Sequence, residues 1–172
     1  ALAQLDAIEA TSGMTQARVT VVHQGRNWST TVMGVDADFG LIQDWGVAAG
    51  RGITAGEARR GAKIAVVGTT VAKELFGDAD PIGQRIRVNR TPATVVGVLE
   101  EKGASSWGQD RDDVVWMPLE TVRSRVSRTE SSVADNAGRL YLKVWDGTDV
   151  LDAQADVEYQ LRIRRDIQPG AD

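Results

Sequence analysis

Residues able to make or break bonds are few in this sequence, and they are scattered. His23 is the sole imidazole, so a general base working near neutral pH would have to be this one side chain. It closes a strand-like run beside a turn. Ser105 and Ser106 sit in a polar loop with no GxSxG elbow and nothing to align a base against them. Asp110, Asp112 and Asp113 form an oxygen-rich cluster of the kind that can hold calcium. Arg111 interrupts it, however, and the glycine and terminal glutamate of an EF-hand are missing, which favours a solvated loop. The Val66–Thr70 step could turn helix amides toward a phosphate. No lysine or second glycine completes a cradle there, so a packing turn is the better account. The absence of cysteine removes thiolate metal sites, iron–sulfur clusters, disulfide scaffolds and cysteine nucleophiles. The expectation is a chain that is not an enzyme, with no catalytic residue, no metal and no cofactor.

Contact chemistry is better represented. Five tryptophans stand beside only two phenylalanines and two tyrosines. Trp45, Trp116 and Trp145 fall on or next to apolar segments and are expected to pack. Trp28 lies near a hairpin turn, and Trp107 is flanked by Ser106 and Gly108 in the most polar stretch. A tryptophan presented on a polar loop offers a large apolar area with few torsions to freeze, which suits an interface anchor. Trp107, Gln109, Asp110, Arg111 and Trp28 are therefore the candidate partner- or substrate-contacting residues. Arg162, Arg164 and Arg165 cluster in the last turns of a helix, where they complement its dipole.

The elements that must position these residues follow from patterning. With 172 residues, 42% of them hydrophobic, and 26% charged, the chain suits one globular domain or two small subdomains. A net charge of −4 argues against a nucleic-acid partner, which would require a basic face. The longest apolar runs, Ala93–Leu99 and Ile64–Gly68, fall well short of the roughly 20 residues that span a bilayer. The first residues include Asp6 and Glu9, carry no basic region and lack an initiator methionine, so the chain reads as a piece of something longer and its start is no signal peptide.

Leu2, Leu5 and Ile8 predict a short amphipathic helix ended by Gly13. Arg18–His23 and Ser29–Asp36 predict a hairpin. Gly46–Gly56 reads as loop, with Thr54 or Glu57 opening a short helix. Lys63–Gly68 predicts a strand buried on both faces. Thr69 or Thr70 then caps a helix to Phe76, with Val71, Ala72 and Leu75 inward. Gln84–Arg90 alternates, placing Ile86 and Val88 on one face, and Ala93–Leu99 returns as a second strand. Glu100–Asp113 is loop, and Val114–Met117 is a strand. Pro118 begins a helix striped by Leu119, Val122 and Val126. Arg128–Gly138 is polar, Arg139–Trp145 is a strand, and Thr148 caps a helix to about Asp166 with Val150, Val157 and Leu161 inward. The order lacks a clean βαβαβ alternation and predicts an α+β fold with a mixed or antiparallel sheet.

The loop and its flanks, GASSWGQDRDDVVWMPLETVRSRV (Gly103–Val126), resemble the extracytoplasmic core domain of MacB-type ABC transporter permeases. Met33–Phe39 (MGVDADF), Gly50–Ile53 (GRGI), Ala65–Gly97 and Gln160–Ala171 (QLRIRRDIQPGA) match the same family in the same order, with Arg165 where the family has histidine. The resemblance implies a two-lobed domain between the first and second of four membrane helices. One lobe would be built from residues 1–33 and 116–172, and an inserted β-rich lobe from 34–115. It also implies a non-catalytic role, coupling ATP-driven helix motion to export or to engagement of a partner protein. The partners would be an ATP-binding-cassette ATPase acting through the full-length permease, a second permease copy, a periplasmic adaptor, and the membrane through flanking helices. The place would be the extracytoplasmic face of the cell membrane. An alternative is a receptor-like module that binds a peptide or lipid between its lobes, motivated by the Trp107 loop and by Arg128–Gly138.

Overall fold

The computed structural model describes residues 6–126 and 138–164. Leu2, Leu5, residues 128–137 of the polar stretch, and everything from Arg165 onward lie outside these segments. β1 (Ile8–His23) and β2 (Arg26–Val35) form a long antiparallel hairpin paired from Met14↔Val35 to His23↔Arg26. α1 (Phe39–Ile42), β3 (Val47–Gly50) and α2 (Ala55–Arg60) follow, then β4 (Ile64–Val67) and α3 (Thr69–Phe76). β5 (Arg85–Val88), β6 (Thr91–Leu99), β7 (Val114–Pro118) and α4 (Leu119–Thr121) come next, the last running into a π-helical turn at Val122–Val126. β8 (Arg139–Val144) and α5 (Val150–Arg164) complete the described chain.

The strand pairings close on themselves. β1 pairs with β2, β2 with β7, β7 with β4, β4 with β6, β6 with β5, and β5 with β1 again. β2–β7 and β4–β6 are parallel and the other pairs antiparallel, so the sheet is mixed and the fold is α+β, as expected. All six ring strands contribute to one apolar cluster containing Val21, Val32, Val67, Ile86, Val95 and Met117, with Val71, Leu75 and Phe76 of α3 packed into it. The opposite face of β4 and β7 supplies Val66, Val114 and Trp116 to a second cluster with Phe39 and Trp45. β4 is thus buried on both faces, which explains its unbroken apolar run. The expected lobe boundaries at residues 33/34 and 115/116 fall inside β2 and β7, which pair with each other from Thr31↔Val114 to Val35↔Pro118.

β1 also reaches beyond the ring. Its first half pairs with β8, from Ile8↔Val144 to Met14↔Arg139. The helix expected from Leu2, Leu5 and Ile8 is therefore corrected over Ile8–Gly13, which is strand. Ile8, Ala10, Ser12 and Met14 are buried at a period of two, and that alternation outweighs the three-residue spacing upstream. Gly13 does not end an element. Its N–H donates to Asp36 Oδ2 at 3.0 Å across the hairpin.

Other corrections are local. Gly68, not a threonine, is the N-cap of α3, because a Cβ there would lie 2.1 Å from the Asp112 carbonyl oxygen. Pro118 ends β7 and caps the helix that starts at Leu119. Within the stretch read as loop, Val47–Gly50 pairs with β6 as a strand. At the start of α5, Asp149 Oδ1 accepts the Leu151 N–H at 2.9 Å, doing the work assigned to Thr148. Val150 is 63% exposed, whereas Val157 is buried as expected, with Ala153 beside it in place of Val150, and Leu161 is half-buried. With Ile8, Leu142 and Val144, Ala153 and Val157 line an apolar groove of about 440 Å³. Thr54, one of the two starts the pattern allows, caps α2, and Glu57 returns the bond. Ile86 and Val88 are buried while Arg85 and Arg87 are exposed, as the alternation predicts.

Candidate partner-contact loop

The loop between β6 and β7 carries four of the five candidate residues, and its backbone is tightly organised. Ala104 and Asp110 form an antiparallel bridge, the Ser105 N–H donates to the Gln109 carbonyl at 2.8 Å, and the Gly108 N–H donates to the Ser105 carbonyl at 2.9 Å. Ser105 Oγ accepts from the Trp107 and Gln109 amides at 3.4 and 3.2 Å. The serine hydroxyl is used to hold the turn. His23, for its part, meets the Arg85 carbonyl through Nδ1 at 2.9 Å and packs at a tilt of 41° against Phe76, with ring centroids 4.4 Å apart. These contacts tie each side chain to its own neighbourhood.

The aspartates anchor the loop. Asp112 is buried, and its two carboxylate oxygens accept the Lys102 and Gly103 N–H groups, each at 2.8 Å. Asp110 Oδ2 accepts the Thr70 hydroxyl at 2.6 Å and Oδ1 the Asp112 N–H at 2.8 Å. Asp113 Oδ1 accepts Trp28 Nε1–H at 2.8 Å. Each acid of the cluster read as a solvated loop is engaged by a different donor. Among the described residues no group of three or more His, Cys, Asp or Glu side chains is placed to hold a metal ion.

Trp45 underlies the root of the loop. Its Nε1–H donates to the Glu100 carbonyl at 2.7 Å, and Lys102 Nζ and the Arg111 guanidinium each lie 5.9 Å from its ring. Lys102 Nζ also donates to the Asp44 carbonyl. Trp45 itself packs edge-on against Trp116, 5.2 Å between centroids, and Trp116 against Phe39 at 5.1 Å. A chain of aromatic rings thus runs from the loop to the core.

At the tip Trp107 is 92% exposed. Gln109, Asp110 and Arg111 are exposed in the same loop, with Asp110 held to Thr70 and Arg111 over Trp45 at the root. Trp28 is set apart from them. It is half-buried against the ring cluster, and its indole N–H is committed to Asp113. Thr70, Trp45 and Asp112 carry the loop and were not among the expected site residues. Nothing in the chain order marks Asp112 as the buried acid among Asp110, Asp112 and Asp113, because the distinction arises only when the Lys102 and Gly103 amides fold over it.

Two carboxylates away from the loop have shifted acidities. Glu57 accepts both guanidinium nitrogens of Arg51 at 2.8 Å, which lowers its pKa from 4.5 to about 2. Burial raises Asp36 above its ordinary 3.8, against the lowering effect of the Gly13 amide.

The ring, the β1–β8 extension and the anchored loop belong to a recognisable class. The sequence profile of the MacB-like periplasmic core domain matches residues 1–159, and the chain belongs to that family. It is 39% identical over 168 residues to the macrolide export ATP-binding/permease protein MacB of Rhodospirillum rubrum, covering 95% of this chain and 25% of that protein. A MacB of Chlorobaculum tepidum is 40% identical over 135 residues, covering 78% of this chain and 19% of that one. The chain thus spans about a quarter or less of these curated relatives. Among solved structures, the periplasmic region of MacB from Actinobacillus actinomycetemcomitans superposes with a TM-score of 0.79 at 16% identity, over 94% of this chain and 70% of that one. The extracellular domain of the noncanonic ABC-type transporter YknZ from Gram-positive bacteria does so at 0.78 and 15%, over 97% and 81%. At these identities the superpositions establish a shared fold.

Proposed function

We propose that this chain is the extracytoplasmic domain of an ABC-type export permease and that it works by moving and touching rather than by catalysis. The profile match across residues 1–159 carries this reading. The relatives' names supply the transport context, since they are export proteins that join an ATP-binding part to a permease. The membrane connection would lie in flanking segments, because among the described residues no helix is long and apolar enough to cross a bilayer.

In this reading β1 is the coupling element. It is one 16-residue strand that pairs with β8 over Ile8–Met14 and with β2 over Met14–His23. We place the division between two lobes at Met14, where the pairing changes hands, instead of at residue 33. A displacement delivered at the Ile8 end would pass along one continuous hydrogen-bonded strand into the ring. The Trp107 loop is the surface that meets a partner, either an adaptor protein or a second copy of the permease. Its root is pinned by Asp112, Asp113 and Trp45, so a docking partner would freeze little backbone in binding it.

The test is the parent gene and its product. One hydrophobic helix before this segment and three after it, with an ATP-binding-cassette ATPase fused or encoded alongside, are expected. A free-standing secreted product would overturn the reading. Within the full-length protein, Trp107→Ala is expected to abolish export while leaving membrane abundance unchanged.

A further inference from the structure

We propose that the end of the ring formed by the β5–β6 turn and the π-helical turn is a binding site for a phosphorylated group, a role beyond the transport reading and independent of the Trp107 loop. An open cleft of about 670 Å³ lies there, lined by Lys63, Asn89, Arg90, Thr91, Ser124 and Arg125 among others. That volume is in the range of small-molecule sites.

Two irregular pieces of backbone build the cleft. Asn89 turns the β5–β6 hairpin with φ at +54°, a left-handed conformation that non-glycine residues seldom adopt and asparagine tolerates best. Residues Val122–Val126 form a π-helical turn, a rare departure from helical geometry that recurs at functional sites. The two are stapled together. Asn89 Nδ2 donates to the Val126 carbonyl at 3.3 Å, and the Thr91 hydroxyl donates to the Arg125 carbonyl at 3.2 Å. The neutral polar groups therefore hold the walls in place, and the cations are left to meet a ligand.

The charge distribution points to the ligand class. Lys63, Arg90 and Arg125 come from three separate segments, and among the described residues no carboxylate lines the cleft. Among the described residues none of the three has a carboxylate within 4.0 Å, whereas Arg51, Arg60, Arg123 and Lys143 are each paired. Three formal positive charges are thus gathered at one concave place on a chain whose net charge is −4. A single carboxylate would leave most of that charge unmatched. A phosphate or pyrophosphate carries several negative charges and oxygens suited to two guanidinium forks, with the ammonium as a point charge. Such a group could be free in solution or borne on a lipid head.

The experiment titrates the ¹⁵N-labelled chain with inorganic pyrophosphate. It separately measures co-flotation with vesicles of phosphatidylglycerol against vesicles of phosphatidylcholine, and binding of a polyglutamate peptide. Amide shifts are expected around residues 63, 89–92 and 124–126. Arg90→Glu with Arg125→Glu should weaken binding by about tenfold or more, while Arg59→Glu on exposed α2 should not. Lys63→Gln, a milder change, keeps the test open if the double variant melts at a lower temperature. Binding of pyrophosphate at least as tight as binding to phosphatidylglycerol vesicles supports a soluble phosphate. Binding to those vesicles with only weak pyrophosphate binding supports a lipid headgroup. Absence of binding in both arms, equal loss with Arg59→Glu, or preference for polyglutamate would overturn the proposal.

Discussion

Trp28 Nε1–H donates to Asp113 Oδ1 at 2.8 Å, joining residues 85 positions apart. The bond fastens the end of the 100–113 loop to the β1–β2 hairpin. One residue earlier, Asp112 fastens the same loop to its own start through the Lys102 and Gly103 amides. A loop secured at both ends can present its tip in a fixed orientation, and the consequences differ between tip and root.

Asp112→Ala should loosen the root. It strands two amide donors that now share a buried carboxylate, a loss of about 2–4 kcal/mol. Denaturant unfolding should report the lower stability. Hydrogen exchange at Lys102 and Gly103 should accelerate well beyond that at the β4 amides. Unchanged protection at both positions would show that the carboxylate does not hold the loop.

Gly68→Ala should cost about 1–3 kcal/mol or more, because the new methyl would stand 2.1 Å from the Asp112 carbonyl oxygen and 3.2 Å from that of Val114. Gly52→Ala is the contrast, since its Cβ would meet only a Val47 methyl at 3.8 Å. A melting-temperature difference between the two variants checks the claim that β4 and the loop touch backbone to backbone.

Legibility in the sequence followed the strength of the pattern. The stretch from β4 through β6 was readable because a two-face apolar run, an amphipathic helix and a strictly alternating strand each carry their own period. The start of β1 was not. Its alternation uses Ala10 and Ser12, whose small side chains give a weak hydrophobic signal until β8 and Asp36 arrive from far along the chain. β3 was hidden by its glycine and alanines, and is a strand only because β6 offers an edge. Trp107 could be read as exposed from Ser106 and Gly108 beside it. The fixed root could not, since the bonds that tie it to the rest of the fold, from Thr70, Trp28 and Trp45, each span at least 40 residues, and the nearer Asp112 bonds to Lys102 and Gly103 follow no sequence period.

Acid should act on Glu57 with a definite sign. Its folded pKa, held at about 2 chiefly by Arg51, lies below the ordinary 4.5. The ionised carboxylate therefore stabilises the fold above pH 4.5, and that contribution is lost as the pH falls toward 2. Glu57→Gln should cost about 1–3 kcal/mol at pH 7, with the gap to the wild type narrowing through this window. A gap independent of pH would remove the ion pair as its cause. Asp36 runs the other way. Its raised pKa makes the ionised form a burden on the fold, present once the pH exceeds the folded value and absent below 3.8. Asp36→Asn should accordingly compare most favourably with the wild type at neutral pH.

Trp107→Phe tests the tip. At 92% exposure its indole contributes almost nothing to packing, so the stability of the chain should change by less than about 0.5 kcal/mol. Trp45 and Trp116 are buried and Trp28 is half-buried, which leaves Trp107 and the half-exposed Trp145 as the water-facing emitters. The variant should therefore emit further to the blue and be quenched less by acrylamide than the wild type. On a docked partner the indole would pass from water into an apolar contact, and a tryptophan anchor of that kind is worth about 2 kcal/mol or more. Partner binding should thus fall by at least an order of magnitude in Trp107→Ala while unfolding stays unchanged. Equal partner affinity in the two proteins would place the contact elsewhere on the surface.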